Sequence, residues 1–80
     1  MNLDYTPKFN RNFEQFPKSI RNKFYKQVSF LLRNLRHPSL HAKKYDESTG
    51  TWQARVDKGV RFYFLIEKDI YILLDIKYHK

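Results

Sequence analysis

The chain has 80 residues, which is the size of one domain, 1–80, and leaves no room for a second. It contains no cysteine, and this excludes disulfides, thiol chemistry and cysteine-based zinc sites. Sixteen Lys and Arg against eight Asp and Glu give a net charge of +8, and a domain this basic favours a polyanionic partner, above all nucleic acid.

Metal, cofactor and membrane functions find no support in the sequence. The three histidines, His37, His41 and His79, lack the spacing of zinc fingers or metalloproteases, so neither a metal site nor a cofactor is predicted. No apolar run reaches the roughly 18 residues of a membrane span, and the N-terminus lacks the pattern of a signal peptide. These features predict a cytoplasmic protein with no membrane partner and no small-molecule ligand.

The N-terminal half predicts one strand and two helices. Residues 2–6 have the mixed polar and apolar pattern of a short strand. Thr6 is expected to cap a short helix beginning at Pro7, because the first turn of a helix does not need the N–H that proline lacks. A second helix is predicted from Pro17 to about residue 36, since its apolar side chains recur every three or four residues. These side chains are Ile20, Phe24, Val28, Leu31 and Leu35.

The C-terminal half predicts strands. A short strand around Tyr45 precedes three long ones, expected over residues 51–57, 60–67 and 69–79, and Gly59 suits the tight turn between the first two. Side chains alternate between the two faces of a strand, so one face of the sheet is predicted to be apolar throughout. That face collects Trp52, Ala54, Val56, Val60, Phe62, Phe64, Ile66, Ile70, Ile72, Leu74 and Ile76.

The element order is therefore β-α-α-β-β-β-β, an α+β fold. Consecutive strands joined by short turns are antiparallel neighbours, so an antiparallel sheet is expected. The two N-terminal helices are the elements available to cover its apolar face, and both are predicted to pack on it. The opposite face then remains open to solvent.

The open face gathers side chains that suit cleavage of RNA without a metal ion. That reaction needs a base for the ribose 2′-hydroxyl, cations for the pentacoordinate phosphate and an acid for the leaving 5′-oxygen. Arginine supplies charge and paired donors to phosphate, and histidine exchanges protons near neutral pH. Simple RNA binding would need the same residues, so both functions remain open. The residues expected on this face are Lys43, Lys44, Arg55, Arg61, Tyr63, Lys77 and His79.

Roles within this set are divided between catalysis and RNA binding. Arg61 is expected to stabilise the transition state from outside the core, so that its removal would leave the fold intact. His79 is the predicted proton-transfer group, with Lys44 as the alternative base. Arg33 and Arg36 of the second helix are added as RNA-binding residues, although cations near the end of a helix also stabilise its dipole. The predicted RNA-binding set is Lys43, Tyr63, Lys77, Arg33 and Arg36.

The order of motifs resembles the RelE/ParE toxin superfamily over almost the entire chain. The residues that carry the resemblance are Pro38-Ser39-Leu40, Lys43-Lys44, Trp52-Gln53-Ala54-Arg55-Val56 and Val60-Arg61-Phe62-Tyr63-Phe64, followed by an apolar strand that ends near a histidine. By motif position Lys43, Lys44, Arg55 and Arg61 match the basic active-site positions of the family. His79 falls near its C-terminal catalytic position.

The resemblance implies a RelE-like toxin of a type II toxin–antitoxin pair. RelE-like members cut mRNA in the ribosomal A site, which makes the catalytic set Lys44, Arg55, Arg61 and His79 and the partners the ribosome, mRNA and a cognate acidic antitoxin. ParE-like members instead inhibit DNA gyrase by contact. A non-catalytic module of the same fold that binds RNA or protein is a third possibility.

Overall fold

A computed structural model of the protein describes residues 1–79. Within these residues the order of elements is the predicted one, and the α+β class is confirmed. The elements are β1 (Asn2–Tyr5), α1 (Pro7–Glu14), α2 (Lys18–Arg33), a one-turn 3₁₀ helix (Pro38–Leu40), β2 (Lys43–Asp46), β3 (Thr51–Asp57), β4 (Val60–Glu67) and β5 (Ile70–Tyr78). No helix in the described part of the chain has the length and apolar character needed to cross a bilayer.

The sheet is mixed, with strand order β1-β5-β4-β3-β2. Strands β2 to β5 are antiparallel neighbours, as expected from their short turns. β1 lies parallel to β5, with Leu3 opposite Tyr71, so the expectation of a wholly antiparallel sheet is wrong for this strand. The rule for antiparallel neighbours applies to strands joined by tight turns, whereas β1 reaches β5 only after the rest of the chain.

Aromatic side chains from both helices build the core on one face of the sheet. The rings of Phe9 in α1 and Phe24 in α2 lie 5.2 Å apart between centroids, and Phe24 meets Phe62 of β4 edge-on at 5.3 Å. All three side chains are fully buried. Burial of each contributes about 1.5–3 kcal/mol, and the predicted packing of both helices on this face is confirmed.

Because of a β-bulge in β5, part of the core differs from the predicted one. Tyr63 lies opposite Asp75 but Phe64 lies opposite Leu73, so Leu74 is an extra residue on β5. An extra residue reverses the alternation of side chains, and Tyr71 and Leu73 are therefore the residues buried in the core. The predicted core positions Ile70, Ile72 and Leu74 are wrong. Ile76, which follows the bulge, is buried as predicted.

Helix α2 ends at Arg33, three residues before the predicted end. Asn34 leaves the helix in an extended conformation, with φ −163° and ψ 110°. Its side-chain Oδ1 accepts a hydrogen bond from the backbone N of Arg36 at 2.9 Å. Asparagine side chains compete in this way with helical backbone bonds, so the helix stops before Pro38 requires it to.

Thr6 joins the start of α1 to the bulge in β5. Its hydroxyl accepts a hydrogen bond from the backbone N of Phe9 at 3.1 Å, which confirms the predicted N-cap. The same hydroxyl donates to the carbonyl of Leu74 at 3.1 Å, and the backbone N of Thr6 donates to Leu73 at 3.1 Å. The helix is therefore fixed to the sheet at the point where the alternation of β5 changes.

Replacing Thr6 by alanine is expected to destabilise the fold by about 0.5–2 kcal/mol, because the helix cap and the bond to Leu74 are lost together. Thr6→Ser keeps the hydroxyl and should retain most of the stability. Urea unfolding of the two variants beside the parent measures both effects. Equal unfolding midpoints for Thr6→Ala and the parent would contradict this role of the hydroxyl.

Candidate functional site

Three cationic side chains lie side by side across the open face of the sheet. Arg55 of β3 pairs with Arg61 of β4, and Arg61 pairs with Lys77 of β5. Directly opposed residues on neighbouring strands have Cβ atoms about 4.5–5.5 Å apart, and like charges at that separation are destabilising. A row of three positive charges therefore opposes folding and favours a bound anion.

Arg55 and Arg61 line a groove of about 430 Å³, called here the cationic groove. His79 follows β5 and is held there by a hydrogen bond from its backbone N to the carbonyl of Gly59, 2.8 Å long. Lys43 reaches the groove from the neighbouring strand, where it pairs with Gln53. The complete lining is His41, Ala42, Lys43, Gln53, Arg55, Arg61 and His79.

The positive charge of the cationic groove is not neutralised by carboxylates of the described residues. Ion pairs in residues 1–79 use other cations and lie outside the groove. They join Lys8 to Asp75 at 3.4 Å, Lys23 to Asp57 at 3.3 Å and Lys44 to Glu47 at 3.7 Å. A concave surface lined by charge of one sign concentrates its field, so the groove is built to attract anions.

Arg61 is part of the folded framework as well as of the groove. Only 6% of the residue is exposed, and its Nη1 donates to the carbonyls of Asp57 at 2.8 Å, Lys58 at 3.0 Å and Val60 at 3.3 Å. These bonds hold the turn between β3 and β4. The expectation that Arg61 lies outside the buried part of the structure is therefore wrong, and its removal is now predicted to affect the fold.

A buried glutamine, which the sequence analysis did not single out, positions two walls of the groove. Nε2 of Gln27 donates to the carbonyl of Arg55 at 2.9 Å and to that of Ser39 at 3.0 Å. Ser39 returns a bond from its hydroxyl to Oε1 of Gln27 at 3.2 Å. The sequence hint for Gln27 was its position directly before Val28, which belongs to the apolar stripe of α2. Gln27 thus ties β3 to the segment that leads into His41.

Two histidines, rather than the one predicted, border the cationic groove. His41 ends the 3₁₀ helix in a left-handed conformation, with φ 47°, and lines the groove together with His79. His41 was not among the predicted site residues. No local pattern marks His41, because its place in the groove depends on the left-handed turn that ends the 3₁₀ helix. The groove therefore offers two groups able to exchange a proton.

Three of the predicted basic residues lie elsewhere. Nζ of Lys44 lies 5.3 Å from the ring centroid of Trp52, and the guanidinium of Arg36 lies 5.9 Å from the same ring. Trp52 packs against the core on the helix-covered side, so Lys44 is on the opposite face of the sheet from the groove. Arg33 is the exposed last residue of α2. Lys43, not Lys44, reaches the cationic groove.

A second groove, of about 410 Å³, adjoins the row of cations and is called here the tyrosine groove. Tyr45 meets Tyr63 edge-on with centroids 4.9 Å apart, and Nζ of Lys77 lies 4.9 Å from the Tyr63 centroid. Burial, with Tyr45 adding to it, raises the pKa of Tyr63 despite the opposing charge of Arg61, so its hydroxyl keeps its proton at neutral pH. The lining is Thr6, Lys8, Tyr45, Thr51, Tyr63, Leu74, Asp75 and Lys77.

Comparison with known proteins identifies the fold. No protein-family model and no curated protein matches the sequence. Among solved structures, a YoeB/ParE toxin from Agrobacterium tumefaciens superposes with a TM-score of 0.83 and 14% identity, over 100% of both chains. YafQ from E. coli strain BL21(DE3) superposes with a TM-score of 0.80 and 16% identity, over 98% of this chain and 92% of the YafQ chain. RelE in the archaeal RelE–RelB complex from Pyrococcus horikoshii OT3 superposes with a TM-score of 0.79 and 12% identity, over 96% of this chain and 92% of the RelE chain.

The protein therefore has the fold of the RelE/ParE toxin superfamily, as the motifs predicted. The likeness covers nearly the whole chain at low sequence identity, and what it establishes is the fold. The function has to be argued from the grooves themselves.

Arg61→Ala is expected to lower the free energy of unfolding by about 1–3 kcal/mol, because three carbonyls of the β3–β4 turn lose their donor. Arg55→Ala is the matched control. This variant removes an equal charge from the same row, but the Arg55 side chain makes no hydrogen bond within residues 1–79. Its free energy of unfolding should therefore equal that of the parent or be slightly higher. Denaturant unfolding at one salt concentration compares them. Equal stability of the two variants would show that the Arg61 bonds contribute nothing.

Proposed function

We propose that this protein is the toxin of a type II toxin–antitoxin pair and an endoribonuclease that cleaves mRNA at the ribosome. The observation that carries the proposal is the cationic groove, where Lys43, Arg55 and Arg61 stand without carboxylate partners in residues 1–79, beside His41 and His79. Structures with the same fold include a YoeB/ParE toxin and RelE in a RelE–RelB complex, which supports the toxin role.

In the proposed reaction the 2′-oxygen of a ribose attacks the adjacent phosphorus, and the bond from phosphorus to the 5′-oxygen breaks. One histidine of the pair His41 and His79 accepts the 2′-hydroxyl proton, and the other donates a proton to the departing 5′-oxygen. The products are a 2′,3′-cyclic phosphate and a free 5′-hydroxyl. Protons and electrons balance without an oxidant, a reductant or a further reactant.

The arginines would carry the electrostatic part of this reaction. Charge accumulates on the phosphate oxygens in the transition state, and donors that are already oriented stabilise it without reorganising. Arg61 meets that requirement because Nη1 is fixed by the β3–β4 turn, while no hydrogen bond within residues 1–79 uses its Nε or Nη2. Arg55 stands beside it, with its strand held by Gln27.

The proposal includes an acidic antitoxin as the protein partner. A net charge of +8 and a cationic groove without carboxylate partners in the described chain favour a polyanionic or acidic partner. YoeB from Staphylococcus aureus, which has the same fold, forms a complex with YefM. The ribosome, mRNA and an acidic antitoxin are thus the proposed partners.

Arg55→Ala is expected to reduce cleavage of ribosome-bound mRNA by about 10²–10³-fold, the usual loss when one donor to a developing negative charge is removed. Primer extension on mRNA in programmed ribosomes measures the rate. Arg11→Ala is the matched control, because it removes the same charge from the exposed surface of α1, and it should cleave like the parent. Equal rates for both variants would remove Arg55 from the site.

The two histidines are tested by the dependence of the rate on pH. His41→Gln and His79→Gln should each lower cleavage strongly. Each should also abolish one limb of the pH–rate profile, because the base must be unprotonated and the acid must be protonated. If the double variant cleaves like the parent at every pH, proton transfer does not involve either residue.

The gyrase alternative is tested with the same protein. A parent that leaves ribosome-bound mRNA intact but inhibits DNA supercoiling by gyrase would replace the endoribonuclease proposal with a ParE-like activity. Cleavage of mRNA with supercoiling unaffected supports the proposal as stated.

A further inference from the structure

We propose that the tyrosine groove binds one nucleobase of a single-stranded RNA whose phosphate lies in the cationic groove. This inference rests on the proposed function only in taking RNA as the ligand. It adds a second subsite and assigns the contact with the base to Tyr45, with Tyr63 as its partner. The first observation is that Tyr45 is 56% exposed although it lies on the sheet rather than on a surface helix.

A β-bulge directs Tyr45 to the open face. Lys44 pairs with Trp52 and Asp46 pairs with Thr51, so Tyr45 is the extra residue between them. Bulges of this kind redirect a side chain and are frequent beside functional sites. The result is an aromatic ring that is supported on one side by Tyr63, at 4.9 Å, and open to solvent on the other. Such a ring is a platform on which any base can stack.

The distribution of charge separates the phosphate site from the base site. The tyrosine groove contains one carboxylate, Asp75, which is bonded to Nδ2 of Asn12 at 2.6 Å, to Nζ of Lys8 at 3.4 Å and to the backbone N of Ile76 at 2.8 Å. Lys8 is paired with this carboxylate, so within residues 1–79 Lys77 is the one unpaired cation in the lining of the tyrosine groove. The cationic groove has Lys43, Arg55 and Arg61 and, in the described chain, no carboxylate in its lining, so it attracts phosphate more strongly. The phosphate is therefore expected at Arg55 and Arg61, and the uncharged base beside Tyr45.

The two grooves are close enough for one nucleotide to occupy both. Arg61 and Tyr63 point to the same face of β4 and are two residues apart, which is about 6.6 Å along a strand. Lys77 lines the tyrosine groove, with its Nζ near the Tyr63 ring, and it lies opposite Arg61 of the cationic groove, so it stands where the two grooves meet. A groove of about 410 Å³ accommodates one base.

The test measures binding of a short single-stranded RNA to the full chain by fluorescence anisotropy at low salt. The same RNA is prepared with an abasic site at each position in turn. For the parent, an abasic site at one position should weaken binding about tenfold, the effect of losing one stacked base. Tyr45→Ala should bind the intact RNA about tenfold more weakly and should bind that abasic RNA no differently from the parent.

Two control variants separate stacking from general effects. Tyr45→Phe keeps the ring and should bind like the parent. Tyr25→Ala removes a tyrosine of similar exposure, 54%, from α2, away from both grooves, and should leave every affinity unchanged. Tyr45 is largely exposed, so its variants are expected to fold, and circular dichroism of each checks this.

Three results would overturn the inference. In the first, the parent binds every abasic RNA as tightly as the intact one, which would mean that the protein contacts only the RNA backbone. Tyr45→Ala weakens intact and abasic RNAs equally, or weakens neither. The parent binds no RNA but binds an acidic peptide that ends in an aromatic residue, which would assign the groove to a protein. None of these measurements needs cleavage, so an absence of mRNA cleavage would contradict the proposed function and leave this result standing.

Discussion

The register between β4 and β5 determines both faces of the sheet at once. The bulge at Leu74 places Tyr71 and Leu73 in the core, although alternation from Ile76 alone would exclude them. It also places Lys77 opposite Arg61 and Asp75 opposite Tyr63. A shift by one residue would turn every side chain of the strand to the other face, so the core and the cationic row are stable only in the same register. Thr6 bonds to the strand at this point.

The cationic row works against the stability of a small domain. An 80-residue chain has a limited core, and like charges on adjacent strands reduce what the core supplies. The framework offsets this with polar contacts beside the row. Nη1 of Arg61 bonds three carbonyls of the adjacent turn, and Gln27 bonds the carbonyl of Arg55. The Arg61 guanidinium is therefore held by bonds to uncharged carbonyls, and Gln27 holds the backbone of Arg55, so neither contact cancels a positive charge.

The sequence was sufficient for the elements and for most of the apolar face. Periods of three to four and of two residues identify helices and strands directly, and the caps at Thr6 and the turn at Gly59 are local signals. Alternation failed where an extra residue interrupts it. Nothing local marks Leu74 as a bulge, because the extra residue is defined by the partner strand, and the assignments of Ile70 and Ile72 failed with it.

The candidate site was harder to predict because it depends on which residues of different elements lie side by side in the folded chain. Lys43 and Lys44 are adjacent and alike in sequence, and only their pairing with Gln53 and Trp52 separates the groove from the opposite face. His41 enters the groove through the left-handed end of the 3₁₀ helix, which the sequence pattern does not reveal. Gln27 acts through two carbonyls that are distant in sequence. Each of these is a tertiary relation rather than a local pattern.

The same arrangement links stability to ligand binding. Repulsion in the row Arg55–Arg61–Lys77 is present only when the sheet is formed, so an anion that neutralises the row binds the folded chain better than the unfolded one. Any such ligand stabilises the fold, whether it is the phosphate backbone of RNA or the carboxylates of an acidic protein. If both proposed polyanions bind the cationic groove, electrostatics alone would make them compete for it.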